Sequence, residues 1–149
     1  MPDTLVQKDV LKGGEFLIKA SHPESMFIPE EITEEQRMIR DMVRDFLQQE
    51  VLPAADRLEV QEEGLAVSLL DKMAELGLLG THMPEAYGGM ALDTNTNTLI
   101  ADVLGPAGAF TVSYAAHIGI GMLPIVYFGN DAQKEKYLPR LISGELKAA

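Results

Sequence analysis

From Phe110 to Gly129 the chain reads FTVSYAAHIGIGMLPIVYFG, twenty residues without a formal charge at neutral pH. A run of this length and apolarity either spans a bilayer or lies inside a protein. Three glycines, one proline and a central histidine weaken the first reading, and no basic cluster flanks the N-terminal side closely. We therefore expect no membrane span. The expectation is a helix covered on most sides, bent where Pro124 withholds an amide donor. Such a helix also suits the wall of a buried apolar site, although a plain core helix is the commoner use.

A buried helix needs partners, and the rest of the chain supplies them. In TEEQRMIRDMVRDFLQQEVLPAADRL, Thr33 and Gln36 have capping-box spacing, and Ile39, Met42, Val43, Phe46 and Leu47 form an apolar stripe at 3-4 spacing. Pro53 should kink or end this helix near Leu52. A second helix, LAVSLLDKMAELGLLG, turns Val67, Leu70, Met73 and Ala74 inward and stops at Gly77. Pro84 and Gly88-Gly89 enforce a turn. A third helix begins among the asparagines and threonines of DTNTNTLIADVLG, buries Leu99, Ile100, Val103 and Leu104, and breaks at Gly105-Pro106. The uncharged run is the fourth. The fifth starts at a cap on Asp131, carries Tyr137, Leu138, Leu141 and Ile142 on one face, and ends at Gly144. The fold class expected is all-α, an antiparallel helical bundle over residues 31–149. Residues 1–30 read as an extension with a Gly-Gly turn and a short strand-like piece from Phe16 to Ile18. Its GGEF string matches the signature of cyclic-dinucleotide synthases, but no α/β domain surrounds it and the match is treated as chance.

Composition removes several functions. The net charge of −11 disfavours nucleic acid, because such a surface repels phosphate. The absence of cysteine excludes thiolate nucleophiles and cysteine metal sites and fits a cytoplasmic protein. His22, His82 and His117 lack metal-ligand spacing, and no nucleophile elbow or phosphate loop is present. No catalytic, cofactor-binding or metal-binding residue is assigned.

Three strings then fit together: ITEEQRMIRDMVRDFLQQEVLP, LGLLGTHMPEAYGG and AHIGIGMLPIVYFGNDAQKEKYLPRLISGE. In order and spacing they resemble the N-terminal helical domain of flavin-dependent acyl-CoA dehydrogenases, and KGGEFL before them resembles the very-long-chain branch. In that family the chain passes from Ser-Gly-Glu into a β-domain that meets the flavin, and a later helical domain carries the catalytic glutamate. The resemblance implies α,β-dehydrogenation of fatty acyl-CoA in β-oxidation, FAD as cofactor, an electron-transfer flavoprotein as electron acceptor, and a homo-oligomeric parent enzyme. It also implies that these residues, alone, are inactive.

Alignment on Pro124-Ile125 implies that Val112, Ser113, Ala116, His117 and Ile120 line the acyl-chain pocket. For Ser113, Ala116, His117 and Ile120, helical spacing independently suggests a shared face. Ala115 and Ala116 leave depth, which favours long chains. His117 has a second reading, a core histidine with a satisfied hydrogen bond. Two alternatives stay open: a free-standing helical interaction module, and a relative of the same scaffold that is non-catalytic, assists assembly or takes another thioester.

Overall fold

A computed structural model describes Leu11 and Gly13–Ala148, in two units, residues 1–34 and 35–149. In the first unit three 3-10 turns follow one another, Gly13–Leu17, Pro23–Ser25 and Pro29–Glu31. The strand-like piece expected at Phe16–Ile18 is not a strand. Ile18 and Lys19 donate their amides back to the Glu15 carbonyl at 3.0 and 2.8 Å, so local turns take the hydrogen bonds that a partner strand would have taken.

The second unit is the all-α bundle expected, with five helical segments joined by short turns. The first is a bent rod. Helix α1 (Glu34–Phe46) continues through a π turn (Leu47–Val51) and a 3-10 turn (Leu52–Ala54) into α2 (Ala55–Glu59). Pro53 kinks this rod without ending it. The proline ring clashes with the carbonyl a turn back, and a wider turn immediately before it relieves the clash. Val43, Phe46, Leu47 and Val51 are buried along its inner side.

Helix α3 (Leu65–Glu75) buries Leu69, Leu70 and Met73, whereas Val67, expected inside, is exposed. Gly77 stops it in the left-handed region at φ 76°. Helix α4 (Thr94–Leu104) is capped by Asp93, whose carboxylate accepts the Thr96 amide at 2.7 Å; this cap precedes the threonines and asparagines expected to provide it. A 3-10 turn (Gly105–Ala107) leads into the second bent rod, α5 (Ala109–Ala115), a π segment (Ala116–Met122) and α6 (Leu123–Phe128). Helix α7 (Asp131–Ile142) closes the bundle. Its cap is Asn130 rather than Asp131, because Asn130 and Gln133 exchange reciprocal side-chain-to-amide bonds, both of 2.9 Å.

Two hydrophobic clusters result. The larger joins the first rod to α3, α4 and α5, with the Phe46 and Phe110 rings 6.3 Å apart. The smaller gathers Met83, Met122, Leu138 and Leu141. The second rod serves both, through Phe110 and Tyr114 at one end and Met122 at the other.

Candidate functional site

The Ala109–Phe128 rod has one sealed face. Phe110, Tyr114 and His117 follow at spacings of four and three, and Met122 comes five residues later, all buried. The jump of five reflects the π segment, in which amides reach back five residues, so Met122 rather than Gly121 returns to the core. The Tyr114 hydroxyl donates to the Leu78 carbonyl at 3.0 Å, and burial pushes its pKa up to about 12, keeping it a neutral donor.

His117 is wholly buried at 0% exposure. Its Nδ1 accepts the Ala148 amide at 3.1 Å, which leaves Nε2 to carry the proton and donate to the Leu141 carbonyl, also at 3.1 Å. Burial pushes its pKa down, against the upward pull of the hydrogen bond to the Leu141 carbonyl, and the nearby Lys147 ammonium adds a smaller downward push. This is the satisfied core histidine of the second reading.

The opposite face is open. Val112 and Ile120 are 70% and 74% exposed, Ser113 and Ala116 are half-buried between them, and Ala115 is exposed. Four of the five residues assigned to the pocket wall, Val112, Ser113, Ala116 and Ile120, thus share an outward apolar surface. His117 does not join them. On a helical wheel it falls at the edge of that face nearest Phe110 and Tyr114, and its two hydrogen bonds draw it into the core. The rod is also not covered on most sides: among the described residues it is a helix long and apolar enough to cross a membrane, yet only 28% of its most apolar window is buried.

Three grooves mark the surface of the second unit, two of them lined by the rod. One of about 530 Å³ runs between α5 and the turn linking α2 to α3; Val112 and Ser113 line it with Leu58, Val67 and Phe110, under a rim of Glu62 and Glu63. Glu62 is ion-paired with Arg57, which holds its carboxyl below the usual range. A second, about 700 Å³, lies between α1 and α3 over Met38, Met42, Phe46 and Leu76, rimmed by Asp41, Asp45, Glu50 and Glu75. A third, about 290 Å³, sits at the end of α6 beside Pro124, Ile125, Phe128 and Tyr137. Sequence periodicity pointed to neither of the last two, because both depend on which elements lie side by side. The 87% exposure of Phe128 was equally hidden, since an apolar run carries no mark of where its cover ends.

These grooves do not suit the diphosphate of FAD. Carboxylates dominate the two larger rims, and Lys72, the cation in the α1–α3 groove, is paired with Glu50. Among the described residues no three His, Asp or Glu side chains converge as metal ligands.

The helical order finds its counterpart among known proteins. The model of the acyl-CoA dehydrogenase N-terminal domain matches residues 33–145. The chain belongs to the acyl-CoA dehydrogenase family. A probable acyl-CoA dehydrogenase of Bacillus subtilis is 49% identical over 95% of this chain and 24% of its own length. Isovaleryl-CoA dehydrogenase of Pongo abelii is 39% identical over 76% of this chain and 27% of that protein. The crystal structure of an acyl-CoA dehydrogenase from Bacillus anthracis, complexed with FAD, superposes with a TM-score of 0.86 at 47% identity, over 92% of this chain and 24% of that one. The chain thus spans about a quarter of the length of these acyl-CoA dehydrogenases.

Proposed function

We propose that this chain forms the acyl-chain wall of an FAD-dependent acyl-CoA dehydrogenase that oxidises the α,β carbon–carbon bond of long-chain fatty acyl-CoA. The observation that carries the reading is the outward apolar face of the second rod, where Val112 and Ile120 bracket the small side chains of Ser113 and Ala116. A surface so apolar and so bare gains most from covering a fatty tail, at about 0.8 kcal/mol per buried methylene. The flavin, which accepts hydrogen in this reading, is held by parts of the enzyme outside these residues, in keeping with the acidic grooves. A second protein, an electron-transfer flavoprotein, receives the electrons, and without the flavin-bearing parts the 149 residues do not turn over substrate.

The contribution of these residues is binding and orientation. The sealed face fixes the rod through the Tyr114 and His117 hydrogen bonds, so the open face meets the tail without rearranging. Ala115 and Ala116 leave depth for a long chain, and the groove beside Val112 and Ser113 continues that depth toward Leu58.

A chimera tests this. The chain replaces the equivalent quarter of the Bacillus subtilis relative, and dehydrogenation is assayed with acyl-CoAs of graded length. The chimera is expected to be yellow and active, and Ala116→Phe to lower kcat/KM for the longest acyl chains about tenfold relative to the shortest, the worth of two lost methylene contacts. A folded, flavin-loaded chimera whose length preference ignores Ala116→Phe would remove this surface from the acyl site.

A further inference from the structure

His117 is a buried titratable group that the proposed chemistry does not use, and its two ring nitrogens reach different parts of the chain. Nε2 donates to the Leu141 carbonyl in the last turn of α7, which also accepts the Gly144 amide at 3.1 Å. Nδ1 accepts from Ala148, in the segment that leaves α7 after Gly144. A third contact holds the same place. A Cβ on Gly121 would overlap Ala148, so the outgoing backbone is seated directly on the π segment of the rod. Lys147 anchors the neighbouring position to the Asp71 carboxylate of α3 and to the Gly144 carbonyl.

We propose that His117 is a positioning residue, a proton-sensitive latch that pins the outgoing segment at Ala148 to the back of the acyl-facing rod. The latch is the neutral ring. A second proton would occupy the Nδ1 lone pair that the Ala148 amide uses, setting two N–H groups against each other. The contact with Leu141, by contrast, survives protonation because Nε2 donates in both states. The charge around the ring is the Lys147 ammonium, itself paired with Asp71, and it opposes a further positive charge. Tyr114, a turn earlier on the rod, is held neutral. The sign follows. The folded pKa lies below the ordinary imidazole value of about 6.5, so the latch is intact at neutral pH and opens as pH falls through that lower folded value.

Its consequence for catalysis rests on the proposed function: the latch fixes the angle at which the chain departs toward the reactive parts of the enzyme. The test does not depend on that reading, because it uses the 149-residue chain and no acyl-CoA. Nitrogen-15 spectra of the imidazole at neutral pH are expected to show the Nε2–H tautomer. Hydrogen-exchange protection of the Ala148 amide, corrected for the intrinsic rate, is expected to fall about fivefold on acidification, the worth of one net hydrogen bond. Core amides such as Leu104 should hold. His117→Gln should abolish the acid step at Ala148 while Leu104 stays protected. The opposite tautomer in the wild-type chain, which needs no variant to fold, would overturn the latch, as would an Ala148 step that persists in His117→Gln.

Discussion

At Gly89 the backbone passes so close to Met83 that any Cβ would overlap the Met83 carbonyl. The neighbouring Gly88 sits at φ 89°, a region costly for side chains, so the pair serves two different needs: Gly88 supplies the turn and Gly89 the close approach. The approach is functional for the fold, because the Ala91 amide then reaches the Met83 carbonyl at 2.9 Å and ties the turn to the buried Met83. Gly89→Ala should therefore destabilise the chain by about 2 kcal/mol or more, since the overlapped atom is backbone and cannot swing away. Urea unfolding measures this directly, and a midpoint within error of wild type would show that the turn yields. Gly88-Gly89 was legible in the sequence as a turn. That its second glycine is required for space was not, because the atom it meets lies six residues back.

The five helical segments were legible because each carries an apolar stripe at helical spacing and a Pro or Gly near its end. What the pattern could not supply was chemistry decided by geometry. Both π turns end two residues before a proline, Val51 before Pro53 and Met122 before Pro124, and an α-helical wheel has no place for them. That is why the return of Met122 to the core was not legible, whereas His117 lies at α spacing from Phe110 and Tyr114 and is turned inward by its two hydrogen bonds. The caps shifted for a similar reason. Asp93 wins the start of α4 because its carboxylate serves two partners, the Thr96 amide at 2.7 Å and the buried Gln36 side chain at 3.3 Å. Among the described residues the Asn130 side chain serves its own helix, through the Gln133 amide. Asp93→Ala should cost more than Asn130→Ala, about 2 against about 1 kcal/mol, since the first also strips a partner from a buried amide. Thermal unfolding of the two variants side by side checks the ranking, and equal losses would mean that the Gln36 contact contributes nothing.

Over the whole molecule two forces oppose each other. The second rod leaves Val112, Ile120, Tyr127 and Phe128 largely uncovered, a surface that favours association or covering by other parts of an enzyme. The net charge of −11 and the carboxylate rims of the two larger grooves hold copies apart. Charge repulsion reaches only about 10 Å at 0.1 M salt and less above it, whereas apolar attraction does not weaken with salt. The chain should therefore be most dispersed at low ionic strength, and should associate and bind a hydrophobic dye increasingly as salt is added. Ile120→Glu and Phe128→Glu together should suppress both effects without lowering stability, because both side chains stand mostly in solvent. Sedimentation velocity over a concentration series at two salt levels, paired with dye fluorescence, separates the contributions. A chain that stays monomeric and dark to the dye at high salt would mean that the open face of the rod is too small or too broken by its glycines to act as an apolar surface.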